Sequence, residues 1–187
     1  MHHRRRTVAW LSGLLVGPLL AAALLAQEVP GATEYEVKAQ FLERFTRFIA
    51  WPEPALAAEG EEPFVLGVVG RDPFGDELRQ LAGRRVAGRH PVEVLRVRQG
   101  AEIERCHLLF VSGSESGRLD EVLAATRGRA ILTVGDTAGY ARRGVIINLF
   151  VDGGKVGFEV NERAARESGL ELSSRLLKLA RPLRKER

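Results

Sequence analysis

The chain has 187 residues, 45% of them hydrophobic and 28% charged, which suits one domain with a buried core and excludes a disordered polar tail. Its formal charge is +4, but Arg4, Arg5 and Arg6 sit in a leader-like N-terminus, and from Gln27 onward 25 basic residues face 24 acidic ones, a net +1. That near balance, with no basic stripe carrying interleaved aromatics, speaks against nucleic acid as a partner, and a single cysteine excludes an internal disulfide.

The first element is the leader itself. A basic start is followed by an uncharged run from Thr7 to Leu25, then by small-residue exits at Ala23 and Ala26. This is the pattern of a cleaved secretory signal peptide over residues 1–26. Gly13, Gly17 and Pro18 interrupt the run, which disfavours a membrane anchor, and no cysteine follows it to carry a lipid. Export places the rest in a periplasm or outside the cell. Residues 27–33 read as a linker, residues 34–183 as one domain, and residues 184–187 as a charged tail.

From Glu34 the pattern is helical, with Val37, Phe41, Phe45, Phe48 and Ile49 on one face and Lys38, Glu43, Arg44 and Arg47 on the other. Trp51-Pro52 ends this helix, because the residue before proline disfavours the α region. Phe64–Val69 is a short continuous apolar run and reads as a strand buried on both faces. Asp72 or Pro73 starts a helix through Leu78 and Leu81. Arg84–Gly88 is a short strand or a loop, and Pro91–Arg98 alternates as a strand with one exposed face. Ala101–Arg105 is a short helix and Leu108–Val111 a second buried strand.

Ser114 or Ser116 caps the next helix, which Gly128 stops, and Ala130–Val134 is the third buried strand. Gly135–Arg143 is a loop or a single helical turn. Val145–Val151 and Val156–Val160 flank the turn Asp152-Gly153-Gly154-Lys155, a hairpin whose glycines accept positive φ. Asn161 caps a helix that Gly169 closes. Ser173 or Ser174 caps a last helix with Leu176, Leu177, Leu179, Ala180 and Leu183 as its apolar stripe. Asn148 takes a structural turn or cap role. Strands alternating with helices predict an α/β single domain: a mostly parallel central sheet flanked by helices on both faces, ending in a β-hairpin and two helices.

Signs of chemistry are few. The first strand-to-helix loop, Gly67 to Gly75, lacks the G-x-G-x-x-G spacing, and no P-loop occurs. Ser112, Ser114 and Ser116 follow a strand but form no G-x-S-x-G elbow, and neither His90 nor His107 stands at a spacing that makes it their base. Two scattered histidines and one cysteine give no metal signature. Cys106, beside a buried strand, is a small packing residue, or else a redox thiol or an intermolecular bridge. Arg47, the Trp51-Pro52 corner and Arg175 are the exposed candidates for binding, since arginine near an indole suits a carboxylate, a phosphate or an aromatic group.

Several segments together resemble the YfiR-like family of periplasmic proteins. They are Tyr35–Ala39 with Phe48–Pro52, Phe64–Gly70, Cys106–Val111, Ile131–Asp136, Gly144–Asn148, Val156–Asn161 and Gly169–Ala180, a match running from Tyr35 to Ala180. The resemblance implies a small periplasmic α/β protein that is not an enzyme and holds no cofactor or metal. It implies binding to the periplasmic sensory domain of an inner-membrane signalling protein, a diguanylate cyclase, which it represses and so affects cyclic di-GMP signalling. It further implies a homodimer and an outer-membrane lipoprotein that draws the repressor away. Relatives with several cysteines use disulfides, which Cys106 alone cannot form internally. On this footing Arg47, Trp51, Glu159 and Arg175 are the candidate partner- or ligand-binding residues. The rival readings are a periplasmic small-molecule sensor using Arg47, Trp51 and Arg175, and a serine hydrolase using Ser112 or Ser114.

Overall fold

Helix α1 (Glu34–Phe45) is the first described element in a computed structural model that describes residues 33–58, 60–98 and 100–183. The segments read as signal peptide, nearly all of that read as linker, and the charged tail lie outside the described residues. The chain divides into Met1–Gly31 and Ala32–Arg187, and only the second unit is described. Thr33 caps α1 reciprocally: its hydroxyl accepts from the Glu36 N–H and the Glu36 carboxylate accepts from the Thr33 N–H, each at 3.2 Å.

The described residues form nine strands. They are β1 (Ile49–Ala50), β2 (Phe64–Val69), β3 (Arg85–Val86), β4 (His90–Val97), β5 (Leu108–Val111), β6 (Leu132–Gly135), β7 (Ile147–Asp152), β8 (Lys155–Val160) and β9 (Glu171–Leu172). Seven form one sheet in the order β3-β4-β2-β5-β6-β7-β8. The five inner strands are parallel, and an antiparallel strand closes each edge. β1 and β9 form a separate antiparallel ribbon. The chain places β4 on one side of β2 and β5 on the other, so the strand order reverses between β2 and β5.

Helices cover both faces, because the inner strands are apolar on both. Phe64, Leu66, Phe110, Leu132 and Leu149 face Leu42 and Phe45 of α1 and Leu78 of α2 (Asp76–Arg79). Val65, Leu109 and Val111 face α3 (Gly100–Ile103), α4 (Leu119–Thr126) and α5 (Tyr140–Arg143) through Ile103, Leu119, Val122 and Tyr140. Each fully buried Leu or Phe contributes about 1.5–3 kcal/mol by leaving water. After the hairpin come α6 (Glu162–Glu167), capped by Asn161, and α7 (Ser174–Leu179), capped by Ser173. No described helix is long and apolar enough to cross a membrane. The expected α/β architecture holds.

Several local expectations fail; the second helix, for one, starts at Asp76 after Gly75, not at Asp72 or Pro73, and ends at Arg79, short of Leu81. α1 ends at Phe45, not at Trp51, because the Thr46 hydroxyl takes the Glu43 carbonyl at 2.7 Å and Ile49–Ala50 pair with β9 instead. Lys38 is not on the wet face of α1; it is 3% exposed. Ser114 and Ser116 do not cap α4; Ser112 caps a 3-10 turn, Gly113–Glu115, and α4 starts at Leu119. Asn148 is neither turn nor cap but a buried residue inside β7. Leu179 leaves the apolar stripe of α7 and is 72% exposed.

Candidate functional site

In open α/β sheets the usual binding place is the crevice at the carboxyl ends of the strands, where strand order reverses. In this chain that place is filled. Gly70, at φ +87°, lies so close to the loop after β5 that a Cβ would stand 2.4 Å from Ser114 Oγ. The Arg71 N–H donates to that same oxygen at 2.9 Å. A Cβ at Gly113 would meet Thr137 Oγ1 at 2.8 Å. Tyr140 lies over Gly135, where a Cβ would come within 2.6 Å of its ring, and its hydroxyl donates to the Ser112 carbonyl at 3.0 Å. The loops after β2, β5 and β6 are thus stitched to one another.

On the α1 side of the same end, Asp136 follows β6 and accepts from Lys38 Nζ at 2.7 Å and from the Tyr35 hydroxyl at 3.1 Å. Lys38 also reaches Glu34 at 2.5 Å. Burial opposes charging Lys38, yet hydrogen bonds to Asp136 and Glu34, with the Asp136 charge, raise its pKa overall. Burial, then the Asp136 charge, pushes the Tyr35 phenol up as well. This cluster escapes a reading of α1 that stops at its phenylalanines. The signal is present, since Lys38, Leu42, Phe45 and Ile49 recur at helical spacing, but its partner lies 98 residues on.

The histidines stand at the other end of the sheet. His90 opens β4 and His107 precedes β5, so the length of β5 separates His107 from Ser112. His107 Nδ1 accepts from the Val65 N–H at 2.9 Å, which leaves Nε2–H to donate to the Ala55 carbonyl at 3.1 Å. Burial holds its pKa below the usual imidazole range. No Ser–His pair of a hydrolase forms between these residues. Cys106, beside them, is 3% exposed, and burial pushes its thiol up to about 12. A protonated, covered thiol packs against Gly67 and is a poor nucleophile. Among the described residues no group of three or more His, Cys, Asp or Glu is placed to hold a metal.

Arg47 and Trp51 come together on a cavity of about 340 Å³ that Leu56 and Ala87 also line. Arg47 is exposed and pairs with Glu43 at 3.5 Å. Trp51 is half-buried: its indole N–H donates to the His107 carbonyl at 3.2 Å and its ring stands edge-on to Phe64 at 5.2 Å. Arg175 is absent from that cavity and lies exposed on α7. Glu159 lies on β8, facing Asn148 Nδ2 at 3.3 Å and Arg181 at 3.8 Å. The four candidates therefore do not make one site. Asn148 Oδ1 is a buried acceptor without a hydrogen-bond partner among the described residues, and sequence reasoning did not foresee it.

The YfiR/HmsC-like family model matches residues 35–181. The chain belongs to the YfiR/HmsC-like family. Family proteins of this type are periplasmic regulators. No curated protein sequence matches the chain significantly. Among solved structures, a conserved domain protein from Vibrio cholerae O1 biovar El Tor is similar at 13% identity and TM-score 0.52, over 80% of this chain and 60% of that one. An ABC domain from Streptococcus pneumoniae, solved in complex with L-Trp, is similar at 13% identity and TM-score 0.45, over 63% and 54%. The match thus spans less than two thirds of either structure, and likeness at this identity speaks to the fold alone.

Proposed function

We propose that this YfiR/HmsC-like protein is an exported, non-enzymatic repressor of a membrane-anchored diguanylate cyclase. It would bind the cyclase's periplasmic sensory domain, as a homodimer, and be drawn off by an outer-membrane lipoprotein. The observation that carries the reading is the family match over nearly the whole described unit. The stitched carboxyl end of the sheet supports it, because the loops after β2, β5 and β6 pack against one another where folds of this kind usually take a small ligand. Arg47, Trp51, Glu159 and Arg175 are the proposed contact residues. Moving a two-state receptor from mostly active to mostly inactive takes roughly 5 kcal/mol of differential binding. A few anchored side chains supply that.

The test is capture of membrane proteins from an envelope fraction with the chain as bait, alongside cyclic di-GMP levels with and without the gene. Recovery of a cyclase and higher cyclic di-GMP in its absence are expected. Unchanged cyclic di-GMP with no inner-membrane signalling protein recovered would sink the reading. The Arg47–Trp51 cavity favours a second reading, a small-molecule sensor. A screen of amino acids and nucleotides by thermal shift decides it, since a ligand of the folded state raises Tm by mass action.

A further inference from the structure

His90 opens β4 with its imidazole wholly buried, and both ring nitrogens face backbone carbonyls of one segment. Nδ1 stands 2.8 Å from the Glu62 oxygen and Nε2 stands 3.0 Å from the Ala57 oxygen. Gly60 packs on the same ring, where a Cβ would come within 3.0 Å of Cε1. A carbonyl oxygen only accepts, and a neutral imidazole has one N–H and one lone pair. Neither neutral tautomer therefore serves both oxygens, since one carbonyl always faces a lone pair. The imidazolium, with an N–H on each nitrogen, serves both.

The turn before His90 packs on this segment too. Ala87 and Arg89 hold φ of 43° and 95°, and a Cβ on Gly88 between them would collide with the Ala58 oxygen. Positive φ at residues other than glycine persists where the surroundings fix it. His107 holds the segment at Ala55 through Nε2–H, and its Nδ1 is committed to the Val65 N–H. Burial first, and then the charge of His90, hold the His107 pKa down. One histidine is thus a neutral anchor, and the other gains a bond with a proton. The remaining charged groups around His90 are Glu61 and Glu62 on the segment, Arg85 and Arg89 beside it, and Arg47 in the cavity that Ala57 and Ala58 wall. All five are exposed to solvent, and the Arg85 guanidinium donates to the Arg89 carbonyl at 2.8 Å.

We propose that His90 is a proton-operated clasp, which holds the segment at both Ala57 and Glu62 when protonated and at one of them when neutral. Leu56, Ala57 and Ala58 line the cavity shared by Arg47 and Trp51, so a proton taken up at His90 firms the wall of that cavity. The consequence for binding rests on the repressor reading above, which makes Arg47 and Trp51 contact residues: acid pH then stabilises the shape in which they meet a partner.

The unit Ala32–Arg187, compact in its own right, contains two histidines, His90 and His107, which the variant His107→Gln tells apart in 1H–15N spectra of the imidazole nitrogens. Elastase, which cuts after small residues, reports opening of the segment at Ala57 and Ala58, with rates taken relative to a denatured chain at each pH. Both His90 nitrogens should carry protons below its titration midpoint. Cleavage should speed up by roughly ten-fold to a hundred-fold as pH rises through that midpoint, the worth of one hydrogen bond to a charged group. His107→Gln should keep this step and His90→Gln should lack it. A His90 that stays in one neutral tautomer, cleavage without a step at its midpoint, or the same step in His90→Gln overturns the proposal. Should His90→Gln not fold, coincidence or separation of the two midpoints in the parent chain decides. No partner takes part in either measurement, so their failure leaves the repressor reading standing, and failed capture of a cyclase leaves the clasp standing.

Discussion

Asp136→Ala removes the acceptor on which the buried end of Lys38 depends. The Lys38 side chain is 4% exposed, and its two anionic neighbours are Asp136, itself 9% exposed, and Glu34, 48% exposed. With Asp136 gone, the ammonium keeps only a half-solvated partner, and the Tyr35 hydroxyl loses its acceptor. Breaking one side of a buried pair costs about 3–5 kcal/mol, because a charge is left uncompensated away from water. For a domain of this size each kcal/mol lowers Tm by about 2–4 °C, so a drop of roughly 10 °C is expected. Calorimetry or a urea titration reads it. The double replacement Lys38→Met with Asp136→Leu should regain most of the loss, since an apolar pair of similar volume carries no desolvation penalty. A cost below about 1 kcal/mol for Asp136→Ala, the value of a solvated pair, would refute the reasoning. The pH dependence has a definite sign. Lys38 and Tyr35 are both raised in the folded state, so their contribution is present below the unfolded values near about 10 and is lost as pH rises through the folded ones.

Three further outcomes are expected. Cys106 should resist thiol reagents in the native protein at pH 8 and react fully in urea, given its burial and raised pKa; rapid native labelling would contradict the packing described. His107 is lowered, so its contribution is present above the ordinary imidazole value of about 6.5 and is lost as pH falls through the folded one; His107→Gln should flatten the acid limb of a stability–pH curve. Gly135→Ala should cost about 1–3 kcal/mol in a denaturant titration, because the new methyl meets the Tyr140 ring at 2.6 Å.

The parts of the fold legible in the sequence are those set by neighbouring residues. Phe64–Val69 and Leu108–Val111 announce themselves as continuous apolar runs, the hairpin by its paired glycines, and α6 and α7 by their capping side chains. What escapes depends on distant partners. β9 exists because Glu171 and Leu172 meet Ala50 and Ile49, and no pattern in two residues foretells that. Lys38 looks like a surface charge until Asp136 is placed beside it. Among the candidate residues, Arg47 and Trp51 lie close in sequence and share a cavity, while Glu159 and Arg175 lie on other elements. The unpartnered Asn148 oxygen is invisible without the neighbours that fail to reach it.

The edge formed by β8 has one more consequence. The Arg181 N–H donates to the Phe158 carbonyl at 2.9 Å, and Arg181 bridges in parallel to Glu159, so the chain lays its own backbone along this border. Pro182 follows and has no N–H to offer to another strand. Arg181 also stacks its guanidinium on Phe150, 3.5 Å from the ring centre, which pins the cover in place. The segment acts as a selvedge that keeps the weave from growing. Cutting the chain before Arg181 would bare an adhesive border, and self-association into aggregates would then compete with folding.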